Sequence, residues 1–219
     1  ADWREAPFAD ESAVARGAFV VSMPPDAIFQ LASMTKVMVG VGGLVLNEDG
    51  RLPLKSRLDQ YFPQFAKMNV GVVDAKGEIA LQPANPIYIH DLFRHTSGIT
   101  YGGRGSTPLH KLYPAGSAAA AAAYGGEEFI AKLASLPLLH APGTVWDYGF
   151  SVDVLGLVVE RVSGQRLNDY LRDALWRKLG MADTFFEVPA DKRGRIARPL
   201  PVDPITGRPQ RIGSLEAKN

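Results

Sequence analysis

A serine and a lysine stand three residues apart in the segment Ser33-Met34-Thr35-Lys36. On the first turn of a helix this spacing places both side chains on one face. The helix N-terminus also brings free backbone N–H groups and partial positive charge close to the serine oxygen. This environment stabilises an alkoxide and disfavours an ammonium, so a buried Lys36 could serve as a neutral base. The pattern predicts a serine nucleophile activated by a lysine. The plain alternative makes Ser33 a helix N-cap and Lys36 a solvated residue.

A second candidate for chemistry is Tyr148, in the segment WDYGFS at residues 146–151. This segment precedes a strongly apolar helical pattern. A tyrosine and a lysine that meet can share a proton, because the ammonium stabilises the phenolate. The alternative is an ordinary packing tyrosine whose hydroxyl is satisfied by a neighbour.

The chain lacks the residues that several other kinds of site would need. The chain has no cysteine, which removes disulfides, thiolate metal sites and a cysteine nucleophile. It contains neither a Gly-x-Ser-x-Gly elbow nor a phosphate-binding Gly-x-x-x-x-Gly-Lys motif. His90 and His95 are five residues apart and so do not share a helix face as paired ligands would. We therefore expect neither a metal nor an organic cofactor.

The composition of the chain also limits which classes of partner it can bind. Lys plus Arg is 24 and Asp plus Glu is 23 among 219 residues, so the net charge is +1. That balance argues against nucleic acid as the main partner. No run of eighteen apolar residues occurs, so we expect no membrane span. The absence of cysteine favours a cytoplasmic location. A removed signal segment stays open as an alternative, because the chain does not begin with Met.

The elements that would position these residues are mostly helices. Apolar periodicity predicts a buried helix over 33–47, whose three glycines indicate close packing, and amphipathic helices over 151–163 and 166–179. Ser151 is a plausible N-cap, and Gly164 and Gly180 end the two later helices. Shorter elements are predicted at 18–21, 70–73 and 79–82 (strands) and at 89–94 and around 129–133 (helices). We expect loop at 99–126 and again at 189–219.

The motifs together resemble the serine β-lactamase-like superfamily. The segment FQLASMTK at residues 29–36 closely resembles its nucleophile segment, more narrowly that of family VIII carboxylesterases and their class C β-lactamase relatives. The likeness continues in order through GRLPL (50–54), LDQYFP (58–63), IHDLFRHTSG (89–98), APGT (141–144), YGFSVDVLG (148–156) and LGM (179–181). It therefore covers about residues 27–188.

The resemblance implies a fold and a set of roles. The fold is α+β, an antiparallel sheet flanked by helices together with a helical region. Ser33 would be the acyl-accepting nucleophile, Lys36 its general base or proton partner, and Tyr148 the proton shuttle to the leaving group. The backbone N–H of Ser33 would supply half of the oxyanion hole. The segment His95-Thr96-Ser97-Gly98 matches a structural part of the family and should not be taken for its third catalytic motif.

Two departures from the family pattern shape the expected function. Phe150 stands where class C β-lactamases have an Asn that contacts the acyl amide of the substrate, so simple esters are favoured. Phe150 and Trp146 are the candidate pocket residues. The third motif, on a C-terminal strand, is absent. We therefore expect residues 1–219 to be an incomplete single domain that lacks much of the sheet, with 189–219 leading toward a missing C-terminal part.

The sequence thus predicts a serine carboxylesterase that acts on short-chain or aryl esters of small molecules. A β-lactamase, a D-Ala-type peptidase or an acyltransferase of the same fold is an alternative within enzymes. A catalytically inactive binding homologue is the alternative outside them.

Overall fold

The computed structural model describes residues 24–197 and 207–208. The chain divides into two compact units. The larger unit is Ala32–Phe186, and the smaller combines Ala1–Leu31 with Glu187–Asn219. The strand predicted at 18–21 and most of the predicted loop beyond residue 197 lie outside the described residues.

The larger unit is mainly helical. A single 3₁₀ turn, Ala32–Met34, leads into the first helix. Its helices are α1 (Thr35–Glu48), α2 (Ile89–Arg94), α3 (Ser117–Ala123), α4 (Gly126–Ala134), α5 (Ser151–Ser163) and α6 (Leu167–Leu171), and α6 continues as a π-helix over Arg172–Trp176. The helices predicted from apolar periodicity at 33–47, 89–94, 129–133 and 151–163 are thereby confirmed.

The sheet is a single antiparallel hairpin among the described residues. Strand β1 (Asn69–Val73) pairs with β2 (Ile79–Pro83) in a register that places Gly71 opposite Leu81. On its other edge β1 bonds to the loop at Leu138, which donates its N–H to Asn69 and accepts from Gly71. The strands predicted at 70–73 and 79–82 are confirmed, and within the described residues so is the expectation that much of the sheet is missing.

One face of α1 is pressed into the core against α5 and α6. Val39, Gly42, Gly43 and Leu46 are buried on it. A Cβ on Gly42 would stand 2.5 Å from Leu171 Cδ2, and one on Gly43 would stand 2.7 Å from Phe93 Cζ. The predicted close packing therefore holds at these two glycines. Gly40 differs, because open space surrounds it.

The other face of α1 is open, contrary to the prediction of a helix buried on more than one side. Val37, Val41 and Leu44 follow helical spacing and are 69%, 37% and 45% exposed. No element in the described part of the chain covers them. The buried stripe facing α5 and α6 is enough to fix α1 in place, since an amphipathic helix needs one apolar face in the core.

Three further local predictions differ from the structure. Residues 117–123 were expected to be loop and form α3, whose alanines have high helix propensity and whose Ala120 packs into the core. The helix expected over 166–179 widens into the π-helix after Leu171. Phe150, not Ser151, occupies the N-cap position of α5, and Ser151 is its first helical residue.

Within the smaller unit, two short segments pair through backbone hydrogen bonds. Ile28 donates to the Arg195 carbonyl at 2.8 Å and accepts from the Ala197 N–H at 2.8 Å. The Arg195 guanidinium also bonds the Asp26 carbonyl. A 3₁₀ helix, Ala190–Arg195, stands where the sequence predicted loop.

Candidate active site

Ser33 lies on the 3₁₀ turn just before α1, and its side chain is exposed. Met34 takes the N-cap position of α1 and no side chain caps this helix, so Ser33 is not the N-cap. The preceding Ala32 has φ 46°, a left-handed conformation that costs an L-residue energy. We call residues 32–36 the serine turn.

Tyr148 reaches the serine turn from 115 positions further along the chain. Its hydroxyl donates to Ser33 Oγ at 2.7 Å. The structure therefore brings the two predicted hydroxyl groups together. Tyr148 lies in residues 146–151, which we call the tyrosine segment. This segment ends on the first turn of α5, so the α5 helix helps to fix where the phenol ring stands.

Lys36 lies beside the Tyr148 ring, with its Nζ 5.3 Å from the ring centroid. The same Nζ is 3.8 Å from Asp153 Oδ2 and 5.8 Å from the Tyr101 ring centroid. Burial lowers the pKa of Lys36, but the Asp153 carboxylate and hydrogen bonding to Tyr101 and Tyr148 outweigh it. The pKa therefore ends above its usual value of 10.5. Lys36 is thus an ammonium at neutral pH. A neutral Lys36 base is not what this environment favours, because a carboxylate lies within ion-pair distance.

Asp153 and Tyr101 also lie at the candidate site. The sequence alone did not indicate either residue. The Tyr101 hydroxyl donates to Asp153 Oδ2 at 3.1 Å and also bonds Ser117 Oγ at 2.7 Å. Burial raises the pKa of Tyr101, so this phenol stays protonated. Asp153 follows Tyr148 by five residues. In a sequence, an acidic residue on the first turn of a helix reads as an ordinary helix start.

The tyrosine segment is held by the residues after α2. His95 has a left-handed backbone at the end of α2, and its backbone carbonyl accepts from the Asp147 N–H at 2.9 Å. The centroid of its ring lies 4.7 Å from that of Tyr148. Burial lowers the pKa of His95, with the Lys36 charge adding to the effect, so the ring is neutral. The buried hydroxyls of Ser97 and Ser151 bond at 2.8 Å. The segment at 95–98 thus positions the tyrosine segment, in keeping with the structural role that the sequence predicted.

The two predicted pocket residues are placed very differently. Trp146 is 62% exposed. Phe150 has no exposed surface, and its ring packs edge-on against Tyr101 at 4.4 Å and Phe129 at 5.2 Å. Phe150 therefore lies beneath the site in the core. The prediction that Phe150 lines a substrate pocket is therefore not what the structure shows, because its side chain packs in the core.

Known proteins resemble this chain over most of its length. Residues 9–213 match the profile of the Beta-lactamase family. The chain belongs to the Beta-lactamase family. Protein Rv1367c of Mycobacterium tuberculosis is 35% identical over 182 residues, which are 81% of this chain and 43% of that protein. A lovastatin esterase of Penicillium rubens is 33% identical over 188 residues, which are 82% of this chain and 45% of the esterase.

Solved structures of the same fold superpose on this chain. The unliganded simvastatin synthase LovD of Aspergillus terreus gives a TM-score of 0.68 at 27% identity, covering 89% of this chain and 49% of LovD. The β-lactamase-like fold predicted from the sequence is confirmed. The chain spans about half the length of the relatives it matches.

Across 24–197 and 207–208, no three His, Asp or Glu side chains cluster as they would around a metal ion. Within the same ranges, every helix is too short or too polar to cross a bilayer.

Proposed function

We propose that this Beta-lactamase family chain carries the nucleophile and the proton-transfer groups of a serine hydrolase that cleaves carboxylic esters. The observation that carries the proposal is the 2.7 Å hydrogen bond between Tyr148 and Ser33, with the Lys36 ammonium against the Tyr148 ring. A nucleophilic hydroxyl bonded to a second group that can take its proton is the general signature of covalent catalysis.

The proposed reaction passes through an acyl-enzyme. In the structure the Tyr148 hydroxyl donates to Ser33 Oγ, so the reactive form first releases the phenol proton to solvent. Ser33 Oγ then attacks the ester carbonyl carbon while its proton moves to the Tyr148 phenolate oxygen, and the carbonyl oxygen becomes an oxyanion near the Ser33 N–H. The ester C–O bond then breaks, and Tyr148 gives its proton to the departing alcohol. Water attacks the acyl-Ser33 by the same route in reverse. Lys36 stays protonated and stabilises the phenolate.

Simple esters, short-chain or aryl, are the proposed substrates. Phe150 cannot hydrogen-bond a substrate amide and is buried, so a substrate gains nothing here from an acyl amide. Similarity to a lovastatin esterase also supports hydrolysis of esters.

Labelling with a fluorophosphonate probe tests the nucleophile. We expect the probe to modify Ser33 and to fail on Ser33→Ala, while the exposed Ser135→Ala control labels as the parent does. Lys36→Ala and Tyr148→Phe should each lower kcat by about 10²–10⁴-fold, the usual contribution of acid–base groups, with little change in unfolding. Modification of another serine with Ser33 untouched would refute the assignment.

Two related reactions remain as second candidates, with a distinguishing measurement for each. A relative of Aspergillus terreus is named a monacolin J acid methylbutanoyltransferase, which favours transfer of the acyl group to an acceptor other than water. An added alcohol that diverts most acyl groups into a new ester would establish that reaction. A kcat/KM for a cephalosporin equal to that for an aryl ester would instead favour a β-lactamase.

A further inference from the structure

Asp153 forms an ion pair with Lys36. It lies on the first turn of α5, and its Oδ2 is 3.8 Å from Lys36 Nζ. The side chains of Lys36 and Asp153 are only 17% and 21% exposed, so water screens their attraction weakly. Among the described residues, Asp153 is the only carboxylate within ion-pair distance of Lys36.

Tyr101 fixes Asp153 from a second direction. Its hydroxyl is held between Asp153 Oδ2 and Ser117 Oγ, at 3.1 and 2.7 Å. Its ring is buried and meets Tyr148 edge-on at 5.5 Å. One side chain therefore touches both the carboxylate and the proton-transferring tyrosine, so the spacing between them is set by packing.

The charged surroundings of Lys36 favour its ammonium form. Tyr101 and Tyr148 present hydroxyl oxygens to it, and Asp153 presents the negative charge. The His95 ring centroid lies 4.7 Å from that of Tyr148, and burial together with the Lys36 charge lowers the pKa of His95. The Arg104 guanidinium lies 5.5 Å from the Tyr148 centroid and adds a second positive charge. Asp153 is the group that compensates these cations.

We propose that Asp153, anchored by Tyr101, is a positioning residue that keeps Lys36 charged and directed at Tyr148, so that Tyr148 alone exchanges the proton with Ser33. This inference rests on the proposed function. In acylation the proton leaves Ser33 Oγ, resides on Tyr148 and passes to the leaving alcohol. In deacylation it leaves the attacking water, resides on Tyr148 and returns to Ser33 Oγ. Lys36 neither gains nor loses a proton.

The test is the rate of fluorophosphonate labelling of Ser33 as a function of pH, in the parent protein and in Asp153→Asn. Without the carboxylate, burial lowers the pKa of Lys36, so the ammonium is lost at lower pH. We expect labelling at neutral pH to slow by about ten- to a hundredfold, less than for Tyr148→Phe. The alkaline loss of rate should move to lower pH. Asp153→Glu should restore most of the rate and the parent pH profile.

Controls separate this inference from the proposed function and from a folding defect. Asp173→Asn removes an exposed carboxylate on the helix surface and should leave the profile unchanged. Tyr101→Phe keeps the buried ring and should shift the alkaline limb in the same direction by less, which tests the network even if Asp153→Asn fails to fold. Parent-like profiles in Asp153→Asn or Tyr101→Phe, or faster labelling at neutral pH, would overturn the inference. Labelling away from Ser33 would instead reject the proposed function.

Discussion

The tyrosine segment and the serine turn meet at one hydrogen bond, yet they are held by different means. The tyrosine segment is fixed by backbone bonds to His95, by aromatic contacts on Tyr148 and by the buried Phe150 below it. On the serine turn, Ser33 and Met34 are exposed, and Ala32 has a left-handed backbone. Residues 149–151 of the tyrosine segment are thus built into the core, whereas the serine turn depends on the N-terminal end of α1 and on the contact with Tyr148.

The largest difference between the two regions should appear on deleting an apolar side chain from each. Phe150→Ala removes a ring with no exposed surface and should lower the free energy of unfolding by about 3–5 kcal/mol. Met34→Ala, at a site 65% exposed, should change it by less than about 0.5 kcal/mol. Urea unfolding measures both. Equal losses of unfolding free energy in the two variants would show that the tyrosine segment is no more deeply packed than the serine turn.

A methyl group added to the tyrosine segment and one added to α1, the helix that follows Ser33, should have effects of opposite sign. A Cβ on Gly149 would collide with the Ile99 carbonyl oxygen and come within 2.6 Å of Thr100 Cα, so Gly149→Ala should cost at least about 1–3 kcal/mol. Gly40 of α1 has open space around it, and Gly40→Ala should stabilise by about 0.5–1 kcal/mol. Thermal unfolding of the two variants decides. A stable Gly149→Ala protein would contradict the close approach.

Relief of the left-handed backbone before Ser33 should have a smaller effect. Ala32→Gly removes a cost of about 1–2 kcal/mol for an L-residue at φ 46° and adds about 0.5–1 kcal/mol of unfolded-state entropy. The net expectation is a stabilisation of about 0–1.5 kcal/mol in urea unfolding. Ala32→Val should be destabilising, because a β-branched residue tolerates this region poorly. A stabilising Val would show that the turn adopts another conformation in solution.

The smallest expected effect is a pH dependence that belongs to the tyrosine segment. The pKa of His95 in the folded protein lies below its usual 6.5, so the unfolded chain takes up a proton more readily. The stabilising contribution is therefore present above pH 6.5 and is lost as pH falls through the lower folded-state pKa. His95→Asn, which tolerates the left-handed backbone, should weaken this dependence. Unfolding at pH 7.5 and 5.5 in both proteins provides the comparison.

Local sequence pattern predicted the elements well where one apolar face dominates. The helix over 151–163 has buried residues at helical spacing and ends at Gly164 with φ 74°. The meeting of Ser33 with Tyr148 was predicted only through the family resemblance. No local spacing connects residues 115 positions apart.

What the sequence could not predict depends on three-dimensional neighbours. In the sequence, Asp153 is an ordinary acidic residue at the start of a helix, and Tyr101 is an aromatic residue in a loop. Only the structure shows that Asp153 pairs with Lys36 and that the Tyr101 hydroxyl bonds Asp153. The exposed face of α1 was not predicted for the same reason. An apolar stripe in the sequence does not show whether another element covers it. Phe150 was likewise placed in the pocket by its position in a motif, whereas its side chain turns into the core.

The π-helix after Leu171 has a consequence for how this chain is aligned with others. Leu171 and Trp176 are both buried although they are five positions apart, a spacing that fits i to i+5 hydrogen bonding and not the α-helical repeat. Such a turn contains one residue more than an α-helix needs for the same length. In evolutionary terms it is an insertion held within a helix. A relative with a regular helix here should align with a one-residue gap between Leu171 and Trp176, and deleting Ala174 should convert this chain to that form.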